Sequence, residues 1–567
     1  MRKMLLSILA VVVLPGFANL SVAQSEMKPV VTVSFSGYDE LKTNIDVFGR
    51  LGGNPDVGKG LEFMLQMMTQ GKGLAGLDKT RPWGAVYLAD DQGKSVFYGF
   101  LPVTELKQLV ETGQALQLAG NIKLDNGVYE IQGGAMTLYA RQKGNWAIIG
   151  QAKEILDQAP ADPLKLLGDM PKNYDLAVRV SVKNAPKEYR EQFLAQLRVG
   201  VELSNMRRPD ENDEQYELRV GATEQGFQQL ATMINELEDV MLGWNVDPST
   251  STTYVDLELT AQSGTKLVDQ FATMKPGKSK FAGFLMPKAA LTANWIGTMT
   301  DADVTRAKSN LASLHKSLIA NLGDQGLSKD EIKLASKLLD DIKDFLVKTI
   351  ETKESDGGLA LLLDTEAATL VAGGAVAEGG KLEKVIEQLV ADLKDTDPDA
   401  AKMIKLGADA HRGVRFHTLS MPTPEPELEP FVGDVLEVIV GIADDRLYLA
   451  AGRDAAKTLK SVIDQSKAAE GKEAPPAQIS FSARTIARFV AEVAEDEQIK
   501  APASALASAL ANVGGKDHVL ITAKPIDRGV RVRLELEEGL LEALATMGQK
   551  MAPMGGIPPG GGFPPQQ

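Results

Sequence analysis

Residues 255–274 read VDLELTAQSGTKLVDQFATM and residues 532–547 read VRLELEEGLLEALATM. Each is a period-2 strand, a glycine, and then a helix that closes on Ala-Thr-Met. A looser copy, LRVGATEQGFQQLATM, stands at residues 218–233. A chain that repeats a supersecondary unit far apart in sequence is constrained to repeat the packing that buries it, which is the mark of duplication. The repeated words contain no nucleophile, metal cluster or phosphate loop.

Other units recur in matching order. VVTVSF leads into GYDELKTNIDVFGRL, and LTANWIGTM leads into DADVTRAKSNLASLHKSL. KSVFYGFLPVTELKQLVE is answered by ATLVAGGAVAEGGKLEKVIEQLVADL, and NWAIIGQAKEILDQ by RLYLAAGRDAAKTLKSVIDQ. LAVRVSVKNAPKEYREQFLAQL pairs likewise with QISFSARTIARFVAEVAED. The pattern predicts two tandem homologous domains, residues 28–276 and 280–550. In the last strand Val530, Val532, Leu534 and Leu536 alternate with Arg531, Arg533, Glu535 and Glu537. Period-2 alternation means one buried and one wet face, so the fold class is α+β: a mainly antiparallel sheet in each domain, with helices packed on one face.

One helix is well marked. Ser328 and Glu331 form a capping box ahead of an apolar stripe from Ile332 through Phe345 to Ile350, which predicts a helix to about Glu354, stopped by Asp356-Gly357-Gly358. MPTPEPELEP at residues 421–430 and RRPDENDEQ at residues 207–215 read as exposed loops. Residues 551–567, rich in Gly, Pro and Gln, read as a disordered tail.

The N-terminus places Arg2 and Lys3 before the apolar run of residues 4–14, then Ser21-Val22-Ala23. This is the layout of a secretory signal peptide over residues 1–23, cleaved near Ala23. The expected product is exported, periplasmic or extracellular, and soluble, with no transmembrane span after cleavage. Cysteine is absent, so neither a disulfide nor a lipidated cysteine is available. The net charge is −15, and loss of Arg2 and Lys3 takes it to −17 with no clustered basic surface, which argues against nucleic acid as a partner.

Candidate sites are weak. Gly53 to Gly60 (GNPDVGKG) matches a phosphate loop but has Gly60 where the magnesium-binding Ser or Thr belongs, and it follows a predicted helix. Asp395, Asp397 and Asp399 have the spacing that opens a calcium loop, yet Pro398, Ala400 and Leu406 break it. The four histidines, His315, His411, His417 and His518, have no metal-binding spacing; His411 and His417 are read as one strand, too far apart for a shared ion. Asp90-Asp91 and Asp444-Asp445 read as turn residues. Met64, Met67 and Met68 form a thioether patch at helical spacing that suits an apolar-ligand groove.

The motifs GYDELKTNIDVFGRLGGNP, YGFLPVTELKQLVE and WAIIGQAKEILDQAP, with the signal peptide, the missing cysteines and the Gly/Pro/Gln tail, resemble a group of uncharacterised exported proteins of planctomycete-type bacteria carrying a tandem-duplicated domain. The resemblance implies location and architecture and supplies no catalytic residues. The function expected is a non-catalytic binding or scaffold protein of the periplasm or envelope, needing no cofactor, with an envelope protein or an apolar small molecule as partner. The alternatives are a carrier of a hydrophobic ligand and a hydrolase whose carboxylates are brought together only by folding.

Overall fold

The computed structural model describes residues 27–116, 120–133, 136–208, 211–322, 328–511 and 513–551. The expected signal peptide and most of the expected tail lie outside them. The first half contributes β1 (Lys28–Phe35), β2 (Trp83–Ala89), β3 (Ser95–Pro102), β4 (Ile122–Asp125), β5 (Val128–Gly133), β6 (Met136–Lys143), β7 (Trp146–Gly150), β8 (Leu176–Ser181), β9 (Leu237–Asp247) and β10 (Thr252–Ala261). The second contributes β11 (Leu291–Thr298), β12 (Glu354–Asp364), β13 (Ala367–Ala375), β14 (Ile404–His411), β15 (Val414–Pro422), β16 (Val435–Ile442), β17 (Arg446–Gly452), β18 (Ala477–Ser482), β19 (His518–Ile526) and β20 (Gly529–Leu536).

All of these strands join one 20-stranded sheet. From one edge the hydrogen-bonded order is β4-β5-β6-β7-β3-β2-β1-β8-β9-β10. From the other it is β14-β15-β16-β17-β13-β12-β11-β18-β19-β20, the same order ten strands later. Every pair is antiparallel. The two orders meet where β10 pairs with β20. Residues 28–276 and 280–550 therefore do not form separate sheets, because the exposed edge of each half saturates the other's backbone groups.

The helices fall between the strands. The first half has α1 (Tyr38–Leu51), α2 (Val57–Met68), α3 (Leu106–Ala115), α4 (Lys153–Gln158), α5 (Lys187–Ser204), α6 (Asp213–Glu236) and α7 (Lys266–Ala272). The second has α8 (Asp301–Leu322), α9 (Lys329–Glu351), α10 (Gly379–Thr396), α11 (Ala455–Ala469), α12 (Ala483–Val493), α13 (Glu497–Ala509) and α14 (Glu538–Met551).

Helices cover both faces, against the one-sided packing expected. On β17, Tyr448 packs with Leu459 of α11, while its neighbour Leu447 packs with Phe345 of α9 and Leu382 of α10. On β7, Ile148 joins Leu156 of α4 whereas Ala147 joins Leu106 and Val110 of α3. Adjacent strand residues point to opposite faces, so β7 and β17 carry helices on both sides. Their runs WAIIG and RLYLAAG are apolar without alternation, as such burial requires.

Three local expectations are corrected. Residues 218–233 lie within the continuous helix α6, whose Gln, Glu, Ala and Leu content favours helix over strand despite two glycines. The capping box at Ser328 and Glu331 is present, but α9 ends at Glu351, with Lys353 in the left-handed region at φ 61°. Asp356, Gly357 and Gly358 belong to β12, where a Cβ on Gly357 would lie 2.4 Å from the Trp295 ring and one on Gly358 2.7 Å from Phe284.

Candidate functional site

The centre of the sheet differs from its flanks. Where β10 meets β20, Asp256 stands directly opposite Arg533 and Glu258 opposite Arg531. Asp256 is fully buried and receives Arg533 in a two-point contact, Nε to Oδ1 at 2.8 Å and Nη2 to Oδ2 at 2.8 Å. Arg531 donates through Nε to Glu258 Oε1 at 2.6 Å. Tyr174 reaches in from the segment before β8, its hydroxyl 2.9 Å from Asp256 Oδ2 and 3.1 Å from Glu258 Oε1. It can lie there because residue 243 is glycine: a Cβ on Gly243 would come within 2.5 Å of the Tyr174 ring. Burial, and then the Asp256 charge, push the Tyr174 phenol well above its ordinary range. The hydrogen bonds to Asp256 raise Arg533 likewise, and its guanidinium also stacks 3.6 Å from the centroid of the Tyr254 ring.

Two polar cavities flank this cluster, of about 470 and 560 Å³, both walled by Asp247, Tyr254 and Arg533. The first also contains Glu40 and Asn44 of α1. Glu40 is raised by burial and by the nearby Asp175, and Asp175 is raised by burial. Raised acids beside a cavity are what general acid catalysis requires. Asp175, however, is fully buried and accepts from Asn44 Nδ2 at 2.6 Å, from Ser36 Oγ at 3.4 Å and from the Val246 amide at 2.9 Å. Its oxygens are committed to holding strand ends together.

The opposite face of the same strands is apolar without a break. One cross-strand row runs Phe35, Leu176, Trp244, Val255 in the first half and continues as Leu534, Ile521, Ile479, Ala293, Leu359 in the second. The adjacent row runs Val33, Val178, Leu242, Leu257 and then Val532, Ala523, Ala477, Trp295. Helix α7 covers one side of this band, packing its Leu267 and Phe271 with Val240, Leu259, Val532 and Ala523. Helices α13 and α14 cover the other side, over Val519 and Leu536. Between them the floor is open: Leu242 is 51% exposed, Leu257 37% and Leu534 39%. The result is an apolar trough crossing the strands at the seam.

The residues singled out in the sequence lie elsewhere. Met67 and Met68 are exposed on α2 and Met64 is half-buried; none belongs to the two central rows or to the cavities described. The glycine segment runs from the α1–α2 turn into the first turn of α2, and its Gly58 amide already donates to Asp46 Oδ1 at 2.7 Å, which occupies the donor a phosphate would need. Asp397 caps a short helix, accepting from the amides of Asp399 and Ala400, so its carboxylate faces backbone rather than a cation. His411 closes β14 while His417 lies in β15, so the two occupy a hairpin and not one strand. His411 pairs with Asp464 at 2.8 Å, His417 sits 3.4 Å from Glu383, and His518 pairs with Glu537 at 3.0 Å. Among the described residues no three His, Asp or Glu side chains converge as metal ligands, and no helix is long and apolar enough to cross a membrane.

The sequence signal for the trough was present in the central strands, where LELTA and VRLEL alternate apolar residues with charges. Alternation alone names the face and not whether helices close over it. No family model matches this chain, and no curated protein or solved structure matches it.

Proposed function

We propose that this is an exported, non-catalytic binding protein made of two homologous halves, and that it holds an extended apolar molecule in the trough across the seam. The observation that carries the reading is the pair of unbroken apolar rows left open at Leu242, Leu257 and Leu534. A floor of this kind is costly to leave in water, since burying a leucine is worth about 1.5–3 kcal/mol. The floor strands are paired on both sides, so their amides and carbonyls are already satisfied and offer a ligand no hydrogen bonds. Recognition then rests on apolar contact, which favours a hydrocarbon chain over a peptide that would have to bury its own amides. From Trp244 to Leu359 the row crosses six strand spacings, roughly 29 Å at the usual separation, long enough for an extended alkyl chain.

Homology of the halves is supported by the matched strand orders and the shared terminal words. Export rests on the N-terminal pattern; mass analysis of the mature chain from its own host, beginning at Gln24 and recovered from the envelope fraction, is the expected result.

Binding is tested on the purified full chain with alkyl probes of eight, twelve and sixteen carbons displacing an environment-sensitive dye. Affinity should rise about fourfold per methylene, following the transfer free energy of a buried CH₂. Leu257→Glu and Leu534→Glu should each abolish the rise. A series that is flat in chain length, or unchanged by both substitutions, removes the trough from consideration.

A further inference from the structure

The register of the seam has a centre. Residues 255–259 and 532–536 spell corresponding strands, so Val255, Asp256 and Leu257 correspond to Val532, Arg533 and Leu534. In the paired strands Val255 faces Leu534, Leu257 faces Val532, and Asp256 faces its own counterpart Arg533. The local two-fold axis therefore passes between Asp256 and Arg533, the one place where a symmetric interface sets a residue against its equivalent.

We propose that Asp256 and Arg533 form a pairing lock that commits each half of the chain to the unlike half and rejects a like half from a second copy. The rest of the seam discriminates less sharply, through loss of the Glu258–Arg531 pair. Were β10 to meet another β10 in the same register, Val255 would face Leu257 and Tyr254 would face Glu258. Were β20 to meet another β20, Val532 would face Leu534 and Arg531 would face Glu535, an acceptable ion pair. Only the central position sets like charge directly on like charge, Asp256 on Asp256 or Arg533 on Arg533.

Like charges directly opposite in a sheet repel. Between the aspartates water cannot relieve this, because Asp256 is fully buried and Tyr174 lies against it. The unlike pairing, by contrast, gives Arg533 both carboxylate oxygens at 2.8 Å. Specificity is thus built from one repulsive element, to which the Glu258–Arg531 and Glu238–Arg528 pairs add attraction between the unlike halves. The inference rests on the register of β10 and β20 and is independent of what the trough binds.

The full-length chain tests it. It is unfolded and refolded over a range of concentrations, and the self-associated fraction is read by size exclusion with light scattering. Asp256→Leu with Arg533→Leu removes the repulsion and the attraction together, and should refold with a several-fold larger self-associated fraction than the wild-type chain, rising with concentration. Reversal of both charges, Asp256→Arg with Arg533→Asp, keeps the unlike pair and should refold as cleanly as wild type. A leucine pair that refolds as cleanly as wild type overturns the lock, as does a double reversal that associates like the leucine pair. Should the leucine pair not fold, the reversals decide: each single reversal must lose the fold and the double must regain it. Alkyl-probe binding by the refolded monomer of either double variant should match wild type, which separates failure of the lock from failure of the trough.

Discussion

The flanks of the sheet and its centre are made of the same kind of strand and handle water in opposite ways. In β7 and β17 consecutive residues are apolar, and each face has its own helix, α3 and α4 in one half and α10 and α11 in the other. In β10 and β20 one face carries a buried ion-pair network and the other an uncovered aliphatic floor. The flanks contribute stability through close packing. The centre leaves apolar surface open and places charge where packing would otherwise be tightest, the combination expected of a surface reserved for binding.

The sharpest way to break this contrast is to cut into a flank. Phe100, fully buried in β3 against Trp146, should cost about 3–5 kcal/mol on Phe100→Ala in denaturant unfolding, with alkyl-probe binding by the surviving folded fraction unchanged. A loss below 1 kcal/mol there would mean that the flanks do not carry the stability. On the polar side of the centre, Tyr174→Phe removes a hydroxyl shared by Asp256 and Glu258 and should cost about 1–2 kcal/mol. Double-mutant coupling with Asp256→Asn measures how much of that cost belongs to the network.

On the open side, Leu257→Ala should cost less than about 1.5 kcal/mol, because the side chain is already partly hydrated, yet it should weaken probe binding measurably. A stability loss as large as that of Phe100→Ala would show the trough to be closed in solution. The smallest effect expected lies outside both regions, where Arg219 ties the α5–α6 hairpin to Glu211 through Nε at 2.7 Å and Nη2 at 2.7 Å. That pair holds the Glu211 carboxyl down to about 2. Its contribution is therefore complete above the unfolded value near 4.5 and fades as pH falls toward 2. Glu211→Gln should unfold more readily than wild type at neutral pH, and the two acid titration curves should converge below about pH 2.

Most secondary elements were legible because their patterns are local. The strand-to-helix units VVTVSF-GYDELK and RLYLAAG-RDAAKTL, and the capping box at Ser328, fold where their periodicity places them. What could not be read was set by distance. Nothing local in LELTA indicates that its edge is taken by a strand far along the chain, so the pattern predicts a sheet in each half where the two halves share one. The non-alternating runs WAIIG and RLYLAAG match the two-sided packing of the flanks, while the alternating final strand predicts a single covered face. Glycines 357 and 358 read as a helix stop because their purpose, room for the Trp295 and Phe284 rings, is a tertiary fact. The trough is hidden from the sequence for the same reason: Met64, Met67 and Met68 attract attention as a cluster in sequence, while Leu242, Leu257 and Leu534 become a cluster only through pairing.

Asp256 meets Arg533 across 277 residues of chain. During synthesis from the N-terminus, at about 5–20 residues per second, β10 is complete for roughly 15–55 s before β20 exists. Throughout that interval it is the bare edge of a sheet of up to ten strands, the kind of surface on which nascent chains stick to one another. An unpaired carboxylate at its midpoint is then a guard on an unfinished edge, and the last long strand to be made brings the arginine that dismisses it.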